Sequence, residues 1–208
     1  RLEALVTGAG GLGGLADALR RHLGLDPGLT AESILFSASS DAAFDGAALR
    51  RVLPALARAA ATDRGRAETI AAWLDAEPRA RPRRIDTYAA AFLTGEGELK
   101  KRLATKSVLD QMPDAVDILE TEGRRIIEVI DRRKAANVVA MTEALLRVGL
   151  DALDHYERLK RLSGRLDYDD LVLGAAALLR EPGVAPGVLY KLDGGVDHIL
   201  VDEAQDTS

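Results

Sequence analysis

Residues 198–208 read His-Ile-Leu-Val-Asp-Glu-Ala-Gln-Asp-Thr-Ser. Ile199, Leu200 and Val201 form a short aliphatic run, and Asp202 and Glu203 follow it without a break. A strand covered on both faces reads as a continuous aliphatic run, so this stretch predicts a short buried β-strand whose end delivers two carboxylates. Such an end suits a metal and phosphate site, because phosphoryl transfer needs charge neutralisation and an oriented water rather than covalent chemistry. Asp202 is then the candidate Mg2+ carboxylate and Glu203 the candidate base. The dipeptide alone also fits an exposed acidic strand end.

The longer string, Asp202-Glu203-Ala204-Gln205-Asp206-Thr207-Ser208, resembles motif II, the Walker B element, of the superfamily 1 DNA helicases of the UvrD, Rep and RecB group. The resemblance implies that Gln205 senses nucleotide state and relays it to the DNA-binding side. Upstream, Tyr156 to Leu179 (YERLKRLSGRLDYDDLVLGAAALL) is similar to the helix and "LDYDDL" segment with which that group re-enters its first motor domain. More narrowly, VLYKLDGGVDHILVDEAQDTS from Val188 and AAFLTGEGELKKRLATKS from Ala90 resemble the AddA-type double-strand-break repair helicase-nucleases of bacteria. The likeness is close from Ala90 onward and loose before it.

No G-x-x-x-x-G-K-[ST] loop occurs in the chain, so the Lys and backbone cradle for a nucleotide's phosphates are missing from it. In the resembling helicases that loop lies far N-terminal to motif II, with a large insertion between. The expectation is therefore a piece of a longer helicase, mainly α: a helical array over residues 1–165 like the 1B insertion, then residues 166–208 as part of the P-loop α/β motor domain 1A, ending in one β-strand. Alone it should not hydrolyse ATP. For the intact enzyme the resemblance implies ATP and Mg2+ as cofactors and duplex and single-stranded DNA as partners. It further implies an AddB-type second subunit, a separate nuclease domain and a role in end resection.

Composition bounds this reading. At 208 residues, 47% hydrophobic and 29% charged, the chain can bury one good core or two smaller ones. The absence of cysteine excludes disulfides and thiolate metal sites, and three scattered histidines do not make a zinc centre. No apolar run is long enough to span a bilayer and no signal peptide opens the sequence, which makes a cytoplasmic location the simplest expectation. The net charge of −5 confines any nucleic-acid contact to local basic patches, and 4% aromatics argues against stacking platforms for single strands.

Two such patches stand out. Lys100, Lys101, Arg102 and Lys106 follow the Gly95 and Gly97 break, and Arg132, Arg133 and Lys134 follow Arg124 and Arg125 on a helical pattern. All are candidate phosphate contacts, giving sequence-independent and salt-sensitive affinity. The alternative is an ordinary solvated face paired with Glu120, Glu122, Glu128 and Asp131 at helical spacing.

Elsewhere helical spacing recurs at Leu12, Leu15, Leu19 and Leu23, at Leu49, Val52, Leu53 and Leu56, and at Ile70, Trp73 and Leu74. Thr62 to Gly65 reads as a polar break, Pro78 to Arg84 as a basic linker, and Ser39 to Asp41 as a cap for the helix after it. Two further helices are expected after Pro113, one through Ile130 and another from Asn137 to about Leu162. Asp167 and Asp170 suit a helix N-terminus, where carboxylates satisfy backbone N–H groups.

Two other functions are compatible with parts of the chain. Gly8, Gly10 and Gly13 form G-x-G-x-x-G, and Tyr156 with Lys160 forms Y-x-x-x-K, which together suggest an NAD(P)-dependent short-chain dehydrogenase. Against it, Leu12 stands where that family's spacing needs glycine, and no acidic strand end follows about 20 residues later. A flexible connection between helices explains the glycines more simply. The remaining possibility is a non-catalytic helical module that binds DNA or docks a protein.

Overall fold

The computed structural model describes residues 2–181, 187, 190, 191, 198 and 200. The expected terminal strand, with Asp202, Glu203 and Gln205, lies outside the described residues. The chain divides into two compact units, Arg1–Leu150 and Asp151–Ser208. The described residues are mainly helical, as the spacing predicts.

In the first unit, α1 (Leu2–Gly8) and α2 (Gly11–His22) form a hairpin. The glycine cluster is not the loose connection expected: only Ala9 and Gly10 separate the helices, and Gly11, Gly13 and Gly14 belong to α2. Gly10 at φ 82 and Gly11 at φ 93 occupy the left-handed region that turns the chain. A Cβ on Gly14 would lie 2.0 Å from the Ala9 carbonyl oxygen, so the hairpin closes only over a glycine. Because Leu2–Gly8 is helical, the strand that a dinucleotide-binding loop must follow is not there.

The next helix, α3 (Ala31–Ala38), starts at a reciprocal cap between Thr30 and Ser33. α4 (Gly46–Ala57) is capped by the Asp45 carboxylate, which accepts from the Ala48 N–H. Ser39 to Asp41 do not cap it; Ser40 leads a single 3-10 turn, Asp41–Ala43, without a side-chain cap. α5 (Ala61–Leu74) runs straight through the expected break at Thr62 to Gly65. Those polar residues are its first turns, where Asp63 faces the positive end of the helix.

A 3-10 turn, Arg81–Arg84, leads into α6 (Ile85–Ala89), and α7 (Lys106–Gln111) follows. Between them an isolated antiparallel bridge joins Leu93 to Leu99, and Gly97 at φ 85 closes the turn it frames. The two helices expected after Pro113 are one: α8 (Ala115–Ser163), 49 residues long. Lys134, Ala135 and Ala136 at the expected junction are strong helix formers, and extending a helix through them is easier than nucleating a second.

The core of the first unit gathers α4, α5, α6, α7 and the start of α8 around Trp73, Tyr88 and Phe92. Trp73 stacks on Tyr88 at 4.2 Å between ring centroids, and Phe92 meets Tyr88 edge-on at 5.1 Å. Such pairs add about 0.5–1.5 kcal/mol each beyond their burial.

The presumed linker arginine, Arg81, is 3% exposed. Its guanidinium donates to the carbonyls of Trp73, Ser39 and Leu74 and to Asp41, and it lies 5.3 Å from the Phe44 ring. Arg125 also lies 5.3 Å from that ring while donating to Glu122 and the Ala38 carbonyl. Glu122 in turn accepts from the buried Tyr88 hydroxyl at 2.8 Å.

The second unit contains the end of α8 and α9 (Tyr168–Arg180), joined through Gly164 at φ 61. No described helix is long and apolar enough to cross a membrane.

Candidate functional site

The cationic segment after Gly97 is tied down by a buried pair that its own sequence does not announce. On α5, Arg66 donates to Asp63 at 3.0 Å one helical turn away, and both side chains are buried. Arg66 also reaches the Ala91 carbonyl at 2.9 Å and the Arg102 carbonyl at 3.4 Å. The other oxygen of Asp63 accepts from the Thr105 hydroxyl at 2.6 Å. Burial lowers the Arg66 pKa from its ordinary value, and the attraction of Asp63 offsets part of that shift. Both ends of residues 91–105 are thus held to one ion pair, at about the separation where an Asp and an Arg on successive turns meet.

This anchoring decides where the predicted phosphate contacts lie. Lys100 donates to the Ala90 carbonyl, and its pKa is lowered by burial and by repulsion from Arg66. Lys101, Arg102 and Lys106 are exposed and make no ion pair among the described residues. On α8, Arg132 is exposed and likewise unpaired among them. Its neighbours are engaged: Arg133 forms a two-pronged pair with Asp86 at 2.7 and 3.1 Å, and Lys134 approaches Asp131 at 3.4 Å. Arg124 pairs with Glu120 one turn back.

The two basic clusters, remote in sequence, come together. A cleft of about 530 Å³ is lined by Lys100 from one and by Arg133 and Lys134 from the other, across the Thr94–Gly97 turn. Asp86 and Glu96 share its wall. A second cleft, of about 660 Å³, lies on the other side of Lys100 and includes Arg102, Arg66 and Asp63.

In the second unit, the Tyr156 and Lys160 pair has a different part from the one its spacing suggests. Lys160 donates to Asp167 at 2.9 Å and Asp170 at 2.7 Å and pairs with Glu157 at 2.7 Å, while the Tyr156 hydroxyl donates to Asp167 at 3.0 Å. Asp167 and Asp170 cap α9 reciprocally, as expected from their spacing. The hydrogen bond from Lys160, with that from the Asp170 N–H, holds the Asp167 carboxyl well below the usual carboxylate range. Desolvation pulls Lys160 down, but hydrogen bonds to Asp170, Glu157 and Asp167 outweigh it and leave its pKa raised. The three carboxylates lie within 4.8 Å of one another, and the ammonium takes the place a free cation would need.

Sequence reading missed Asp63, Arg66 and Thr105. Their signal was an acid and a base three residues apart, the i, i+3 pattern of one helical face, but it sat in a stretch that resembled a break.

Residues 85–208 match the family model described as the UvrD/REP helicase N-terminal domain. The class is that of UvrD-like superfamily 1 DNA helicases, enzymes driven by ATP with Mg2+. The chain belongs to the UvrD/REP helicase N-terminal domain family, and its first 84 residues lie outside the matched segment. No curated protein and no solved structure matches the chain.

Proposed function

We propose that the chain serves an AddA-type ATP-dependent DNA translocase acting in the resection of double-strand breaks. In this reading residues 1–165 are a helical 1B-like arm against duplex DNA, and residues 166–208 are the part of motor domain 1A that carries motif II. The nuclease domain and an AddB-type subunit belong to the intact, cytoplasmic enzyme. The observation that carries the reading is the string Asp202-Glu203-Ala204-Gln205-Asp206-Thr207-Ser208 inside the family-matched segment. The convergence of Lys100, Arg133 and Lys134 on one cleft supports the arm.

The acidic pair fits Mg2+ by donor chemistry, since that ion takes carboxylate oxygens and retains water. Asp202 would hold it, and the bound ion would neutralise charge on the nucleotide's phosphates. Glu203 takes a proton from water as base, and Gln205 reports the nucleotide state toward the DNA. The test is Glu203→Gln in the intact helicase. ATP turnover should be abolished while DNA affinity stays nearly unchanged; retained turnover would overturn Glu203 as base.

A further inference from the structure

The two clefts beside Lys100 differ in what their charges are already doing. In the one shared with α8, Arg133 is bound by Asp86, Lys134 faces Asp131, and Glu96 adds an acid to the wall. In the other, Asp63 is the acid of the lining, and Arg66 and Thr105 already occupy its oxygens. That leaves Lys100, which donates to the Ala90 carbonyl, and Arg102 without an ion pair among the described residues.

The rest of the wall is suited to phosphate oxygens. Thr62, Thr69 and Thr87 line the same cleft. Thr69 donates to the Gly65 carbonyl, whereas Thr62 and Thr87 are exposed with no hydrogen-bond partner among the described residues. Two hydroxyl donors therefore stand beside two uncompensated cations over a floor fixed by the Asp63–Arg66 pair. Burial and the neighbouring Arg66 both lower the Lys100 pKa from its ordinary value. An anion in the cleft would offset the repulsion from Arg66.

We infer that this cleft, between α5 and the segment from Ala90 to Thr105, is a subsite for a backbone phosphate of nucleic acid. Arg102 and Lys100 supply its charge, and Thr62 and Thr87 its hydroxyl donors. The inference rests on the reading of the helical array as a DNA-engaging arm and adds where the backbone passes. Asp63, Arg66 and Thr105 act as positioning residues.

The test is fluorescence anisotropy of the full chain with a forked DNA duplex, titrated at several salt concentrations between about 50 and 200 mM, with variants compared by the slope of log affinity against log salt. Arg102→Gln and Lys100→Gln should each make the slope shallower by about 0.9, the loss of one phosphate contact. Arg102→Lys, which keeps the charge, should restore it, and Arg21→Gln on α2 should leave it unchanged. If the unmodified chain binds steeply but Arg102→Gln and Lys100→Gln do not change the slope, the subsite is wrong while the DNA-engaging arm stands. If the unmodified chain shows no salt-sensitive DNA binding, both readings fall. If inorganic phosphate shifts the Thr62 and Thr87 amide signals while the variants' DNA slopes stay unchanged, the cleft takes free anions and the assignment to nucleic acid is overturned.

Discussion

Around Tyr88, the side chains of Trp73, Phe92, Leu119 and Ile126 are each 1% exposed or less, whereas Leu171, Val172 and Leu173 along α9 are 55, 65 and 68% exposed. Both regions are ordered helix, reached differently. Near Tyr88, burial of large apolar surface is the driving term, with about 25 cal/mol gained per Å² removed from water. α9 buries none of its residues, and its start is fixed by the cap between Asp167 and Asp170 and by Lys160 across both. The difference teaches that residues a few positions apart can specify where a helix begins while its apolar face stays uncovered among the described residues. Disturbing the first region should therefore unfold its whole unit, and disturbing the second should stay local.

The largest effect should come from Trp73→Ala. It removes a ring stacked at 4.2 Å on Tyr88 and leaves a cavity in the centre of the unit, at a cost of about 3–5 kcal/mol. Urea unfolding followed by circular dichroism reads this as a lower midpoint; an unchanged midpoint would break the comparison at its strong end.

Next, Arg81→Leu should cost about 3 kcal/mol, because three buried carbonyls lose their donor. Asp41→Asn should cost less than about 1 kcal/mol, since that carboxylate is largely exposed. Equal losses from the two would assign Arg81's contribution to its charge pair rather than to the carbonyls it serves.

The smallest effect is local and depends on pH. The depressed Asp167 carboxyl contributes stability above its unfolded pKa of about 3.9, and that contribution is lost as pH falls through its lower folded value. Lys160, raised, keeps its contribution throughout that range and would lose it only in strong alkali. Protection of the Asp170 and Leu171 amides against hydrogen exchange, relative to their intrinsic rates at each pH, should therefore fall in strong acid. Lys160→Met should produce the same change at neutral pH with the urea midpoint unmoved. A midpoint shift as large as that of Trp73→Ala would erase the distinction between the two regions.

Much of this was legible beforehand. Apolar residues at helical spacing mark α4, α5 and α8, and the Asp167–Asp170 cap is visible because its physics spans three residues. What was not legible depends on partners far along the chain. Arg81 reads as solvated in a string of prolines and arginines, and only the carbonyls of Ser39, Trp73 and Leu74 make it an interior residue. Thr62 to Gly65 reads as a break because Asp63 needs Thr105, 42 residues away, to become a buried group. The continuity of α8 is masked by residues 131–136, which carry no large apolar side chain and are held in the helix by the propensity of residues such as Lys134, Ala135 and Ala136. Asp202, Glu203 and Gln205 were read from a resemblance, and they lie outside the described residues.

The ring formed by Asp63, Arg66, Thr105 and the carbonyls of Ala91 and Arg102 also has a mechanical meaning. In the proposed subsite, a polyanion pulling on Arg102 would not tug a free loop. The strain passes through the main chain into a buried guanidinium and from there along α5, so a tether that begins at the surface ends in the interior. Stiffness of that kind would let the proposed arm hold a moving strand without giving way at the point of grip.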